Sequence, residues 1–182
     1  MKKVFKDYTI PFVGLKIGKH QFEYELDNSF FELFDYQEFN AANVKANLLL
    51  TKKANMLELD FEVVGKVNLN CDLTLEPYNQ DIKNKLSIVV KFGDDYEEVN
   101  EELLILPHGE YEVEVQQYIY EAVILGLPAK RIHPGVEDGT LDSEILNKLQ
   151  ELKPQTSDEK EETKDEDEID PRWDKLKGLL KD

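Results

Sequence analysis

Two hydrophobic periods divide the chain. In His20–Leu26 the apolar Phe22, Tyr24 and Leu26 alternate with Gln21, Glu23 and Glu25, the period of a half-buried strand. Lys2–Ile10 alternates more weakly through Val4, Tyr8 and Ile10 and reads as an N-terminal strand or extended arm, punctuated by Pro11 and Gly14. Asp27 or Ser29 caps a short helix reaching about Tyr36, with Phe30, Phe31, Leu33 and Phe34 as its apolar face. Val44–Thr51 is the next strand, Lys52–Asn55 a hairpin turn, and Met56–Asn70 a long strand with Leu57, Leu59, Phe61 and Val63 on one side. Val64–Gly65–Lys66 interrupts that phase. A glycine inside a strand predicts a bulge or tight bend, through which the strand would pass to another sheet or barrel side. Val67, Leu69 and Cys71 resume the alternation, and Leu73 and Leu75 carry it toward Pro77.

Lys85–Phe92 is a further strand, with Leu86, Ile88 and Val90 in phase, followed by an acidic loop, Gly93–Glu98. Glu102–Leu106 fits either a strand or a turn of helix. A helix is expected from Val113 to Leu125. Val113, Gln117, Tyr120 and Ile124 would share one face, widened by Val115, Tyr118, Ala122 and Leu125. Gly126 and Pro128 end it. Strands followed by a helix define an α+β fold, with a mainly antiparallel sheet that is open or barrel-like, a few packed helices and a flexible acidic C-terminal tail.

Beyond the helix the pattern thins. Leu141, Ile145, Leu149 and Leu152 recur at helical spacing and predict a second helix over Asp142–Leu152. The expected organisation is a β-rich domain over 1–153, a disordered acidic linker over 154–168, which has no apolar periodicity, and an amphipathic helix over 169–182. In that last segment Asp170 caps, Pro171 suits the first helical position, and Trp173, Leu176, Leu179 and Leu180 form one stripe. An amphipathic segment on a leash either docks on its own domain or is offered to a partner.

Charge sharpens the function classes. The 182 residues carry a net charge of −17, of which residues 157–170 hold −7. Such a chain repels phosphate as a whole, so a basic protein is a better electrostatic match than nucleic acid, and any RNA contact is expected to be indirect. No apolar run of about 18 residues marks a membrane span. The N-terminus lacks a signal-peptide core, and a lone cysteine forms no internal disulfide, so a cytoplasmic setting is expected.

Candidate chemistry is sparse. Cys71, His20, His108 and His133 lack metal-ligand spacing, and no Gly-rich phosphate loop occurs, so no metal, cofactor or catalytic residue is expected. The five phenylalanines from Phe22 to Phe39 read as core rather than an RNA-stacking platform, because their surroundings are acidic. Lys130, Arg131 and His133 either answer the C-terminal dipole of the preceding helix or make a small RNA contact. The acidic run is a solvating linker or a mimic of a phosphate backbone that holds a basic protein.

Three separated stretches carry a resemblance. Gly65, Val67, Cys71, Leu75 and Pro77 follow a G-x-V strand and a C-x-x-C-L-x-P element in which Thr74 replaces the second cysteine. Glu121, Leu125, Leu127, Pro128 and His133 match a helix ending in L-x-L-P before a histidine. Asp170, Pro171, Arg172 and Trp173 spell D-P-R-W ahead of Leu176, Leu179 and Leu180. Together they resemble the bacterial YceD family, the large ribosomal RNA subunit accumulation proteins. The resemblance implies a non-enzymatic role in large-subunit assembly, with a ribosomal protein or precursor particle as partner. On that basis Asp170, Pro171, Arg172, Trp173 and Leu176 are the expected partner contacts. The missing second cysteine implies that any metal or redox property of the pair is lost and that Cys71 is structural.

Overall fold

A computed structural model describes residues 6–141 and 144–152 of the chain. A 3₁₀ turn, Lys6–Tyr8, leads into β1 (Thr9–Ile10), then β2 (Gly18–Leu26), α1 (Asn28–Glu32), β3 (Ala41–Lys52), β4 (Met56–Asn70) and β5 (Pro77–Gly93). After these come β6 (Glu97–Asn100), β7 (Leu103–Pro107), β8 (Val113–Glu114), α2 (Gln116–Ile124), α3 (Pro134–Glu137) and α4 (Glu144–Glu151). By compactness the chain forms two units, Met1–Leu146 and Asn147–Asp182. The sheets and α1–α3 all belong to the first.

The main sheet has six strands in the order β2-β3-β4-β5-β7-β6, antiparallel except for the parallel pair β5–β7. It is open and not closed into a barrel, and the α+β expectation holds. One face is buried. Val44, Ala46, Leu48 and Leu50 of β3, Leu57 to Leu69 at alternate positions of β4, and Ile82, Ile88 and Val90 of β5 all point into the core. Charged and amide side chains alternate onto the other face, the pattern of an antiparallel sheet with one wet side. α1 and α2 cover the buried side, and Ile119, Ala122 and Val123 of α2 are sealed within the core.

The phenylalanines of α1 and its exit are core residues, as their acidic setting implied. Phe31 is 1% exposed and meets Phe30, Tyr36 and Phe39 edge-on or tilted, with ring centroids 4.9–6.5 Å apart. Phe34 stacks on Tyr120 of α2 at 4.2 Å, which fastens the two helices together. Asp27 caps α1 by accepting from the Ser29 N–H at 2.9 Å.

Several expectations change in detail. β4 does not bend into another sheet at Gly65. It runs unbroken, and its register against both neighbours passes straight through Gly65, opposite Val44 on one side and Ile82 on the other. The glycine answers a close approach instead: a Cβ there would collide with the carbonyl oxygen of Asn43 and lie 2.5 Å from Val44 Cα. Leu73 and Leu75 do not extend the strand. Residues 72–74 turn, Leu75 takes a φ of +60°, and both leucines are exposed. β5 begins eight residues before Lys85, at Pro77, because Tyr78 and Ile82 carry its buried phase while Gln80 and Asn84 mask it in the sequence. β6 begins inside the expected acidic loop, at Glu97, and Glu102–Leu106 resolves to strand β7. Val113–Glu114 pairs with β1, so α2 starts only at Gln116, and its buried face is Gln116, Ile119, Ala122 and Val123, with Gln117 outside. Of the N-terminal arm, Thr9–Ile10 is a strand and residues 1–5 lie outside the described residues, as do 153–182.

Candidate functional site

The sequence-predicted residues of the body fall at two places. The first is the turn after β4. Its backbone folds back on itself, with Leu75 N–H donating to the Cys71 carbonyl and Cys71 N–H to that of Glu76, each at 2.9 Å. Residues 130–133 lie alongside. Asp72 N–H donates to the Arg131 carbonyl at 2.8 Å, and Arg131 N–H donates to Asp72 Oδ2 at 3.0 Å. His133 N–H donates to Cys71 Sγ at 3.3 Å, while His133 Nδ1 accepts from Gly135 N–H at 2.9 Å and so caps α3. The Tyr78 ring sits edge-on to the imidazole at 5.7 Å, with its buried hydroxyl unpartnered among the described residues. Thus Cys71, Pro77, Arg131 and His133 come together although some 60 residues of chain separate the two stretches.

Cys71 is buried, as expected of a structural cysteine. Burial pushes its thiol up. The Thr74 hydroxyl and the N–H groups of His133, Thr74 and Leu73 more than offset this and hold it below its ordinary range. Thr74, itself buried, therefore stands beside the sulfur. Replacing it with valine keeps the bulk and removes the hydroxyl. The Thr74→Val protein is expected to titrate its single thiol at a higher pH than wild type, as followed by thiolate ultraviolet absorbance; an unchanged titration would remove the hydroxyl from this role.

The basic triplet is built into this junction. The Arg131 guanidinium pairs with the Glu38 carboxylate, which also accepts from the Tyr36 hydroxyl at 3.1 Å. Lys130 is exposed. The hydrogen bond from Arg131 lowers the Glu38 pKa from its ordinary 4.5. A depressed carboxylate adds stability that is present above its unfolded-chain pKa and lost as pH falls through the folded value. Because the pair is half-exposed, Glu38→Gln is expected to cost less than about 1 kcal/mol at neutral pH. That deficit should begin to shrink as pH falls below 4.5 and vanish only below the lowered folded value, as urea midpoints at neutral and acid pH would show.

The second place is a groove of about 920 Å³ between α2 and the end of the sheet formed by β5, β7 and β6. Leu86, Ile88, Leu103 and Leu104 floor it, with Tyr118, Ile124 and Leu125 along the helix side. Glu98, Glu101, Glu114 and Glu121 line it with carboxylates. Glu121, singled out on sequence grounds, accepts from Gln117 Nε2 at 2.7 Å here. The groove itself went unread in the sequence, yet a signal existed. Asp94–Glu121 contains ten carboxylates and no lysine or arginine. Together with the −7 of residues 157–170 it accounts for the whole net charge of −17. None of its carboxylates enters an ion pair among the described residues.

Of the remaining sequence-predicted residues, Gly65 lies in the middle of β4, and Pro128 follows the end of α2. Asp170, Pro171, Arg172, Trp173 and Leu176 lie outside the described residues, as does the acidic linker. Among the described residues no cluster of three His, Cys, Asp or Glu side chains is arranged to hold a metal ion, and no helix is long and apolar enough to cross a membrane.

A six-stranded sheet with one wet face, covered on the other by helices, and a carboxylate-lined groove define an acidic α+β protein. The chain belongs to the YceD family, the large ribosomal RNA subunit accumulation proteins, whose family model matches residues 59–180. Its role accordingly lies in the accumulation of large-subunit ribosomal RNA. Comparison with curated proteins gives no match, and comparison with solved structures gives none.

Proposed function

We propose that this chain promotes large-subunit ribosomal RNA accumulation and subunit assembly without catalysis, in the cytoplasm, by binding a basic ribosomal protein or a precursor particle. The observation that carries the reading is the location of the charge: a cation-free stretch of ten carboxylates in the body and an acidic run near the C-terminus, on an otherwise neutral chain. Such a surface attracts cationic protein and repels bare phosphate. On the open sheet face Lys45, Lys66 and Lys85 pair with Glu25, Asp81 and Glu62 at 3.3–3.5 Å. RNA contact is then indirect, through the complex.

In this reading the domain over 1–153 is the platform, the run over 154–168 a leash, and the segment over 169–182 a second contact, with Trp173 as aromatic anchor, Leu176 beside it and Arg172 as a charged contact. Deleting Ile169–Asp182 tests this arrangement. Large-subunit precursors should accumulate in gradient profiles, and capture of large-subunit proteins should fall. Unchanged profiles and unchanged capture would overturn the role of the segment.

A further inference from the structure

The groove beside α2 has the composition of a peptide site. Its floor is apolar, and Leu125 at its edge is 69% exposed and Tyr96 59%. Its carboxylates have no cation among the described residues.

We propose that this groove binds a basic segment of a large-subunit ribosomal protein, seating aliphatic side chains on Leu86, Ile88 and Leu103 and cations against Glu98, Glu101, Glu114 and Glu121. The inference rests on the protein-binding reading above and names its surface. Charge complementarity selects this occupant: ten carboxylates without a lysine or arginine favour a cationic chain, and the leucine floor favours one with aliphatic side chains over a purely charged one.

The test measures binding of a labelled amphipathic lysine–leucine peptide to the full chain by fluorescence anisotropy at moderate salt. A peptide with serine replacing leucine serves as comparison. Glu98→Lys combined with Glu121→Lys is expected to weaken the lysine–leucine peptide about tenfold. Glu23→Lys combined with Glu25→Lys, the same charge change on the open face of β2, should leave it nearly unchanged. The serine peptide should also bind about tenfold more weakly than the leucine one. All four sites are surface positions, and matching thermal melts verify the folds. Equal losses in the two double variants, or equal binding of the two peptides, would overturn the site. So would a gain in peptide affinity on removing residues 169–182, which would make that segment the groove's occupant. Capture of purified large-subunit proteins, measured in parallel, separates the two levels. Capture that persists undiminished in the groove variant overturns this surface and leaves the protein-binding role standing. Absence of capture by the unaltered chain overturns both.

Discussion

Phe31→Ala is expected to lower the stability of the domain by about 4 kcal/mol, measured as the shift in urea unfolding free energy. The residue is 1% exposed and sits among Phe30, Tyr36 and Phe39, so truncation removes a whole ring and leaves a void walled by other rings. Those neighbours cannot collapse into it freely, because Phe30 also packs on Tyr8 and Phe34, and Phe34 is stacked on Tyr120. The aromatic cluster ties α1 to α2, and α2 forms one wall of the groove, so the same substitution should also weaken peptide binding. A loss below about 1 kcal/mol would mean that the cluster is loosely packed and that the phenylalanines serve something other than the core.

Gly65→Val is expected to cost about 3 kcal/mol, at the upper end of overpacking effects. The colliding atoms belong to the backbone of β3 at Asn43 and Val44, not to a side chain that can rotate away. Relief would require prising β3 from β4 in the centre of the sheet, where Val44 and Gly65 are paired. Gly65→Ala should already carry most of the penalty, since the first added carbon makes the contact. Equal stability of the alanine variant and wild type in thermal melts would show that β3 yields at no cost.

The contrast between these two positions shows how much could be read from the chain. Alternation located β2 and β4 and the buried side of each, because a one-sided sheet imposes period two on every residue that faces the core. It failed where polar residues occupy inward positions, as at Gln80 and Asn84 in β5. There, pairing with the long β4 holds the strand in place and apolar side chains are not needed at every turn of the pleat. Gly65 was visible as an anomaly, but its cause was not: a bulge and a close backbone approach call for the same residue, and only the neighbouring strand tells them apart. α2 was displaced because Val113–Glu114 belongs to a two-strand ribbon with β1, a pairing of residues about a hundred positions apart.

The site divides in the same way. Cys71, Pro77 and His133 stood out in the sequence, but their meeting depends on hydrogen bonds from Asp72 and Arg131 that no local pattern encodes. The groove was hidden for a different reason. Its leucines come from β5 and β7, its carboxylates from β6, β8, α2 and the β6–β7 turn, and each looks ordinary in its own segment. Only the absence of any lysine or arginine from Asp94 to Glu121 set that stretch apart.

The central claim is that the chain meets the large subunit through protein. The most direct measurement is an affinity capture from native-source lysate, before and after RNase, comparing the whole chain with Trp173→Ala. The account predicts that large-subunit proteins stay bound after RNase and are diminished by the substitution. Loss of all ribosomal material on RNase, with no effect of Trp173→Ala, would contradict it and place the contact on RNA.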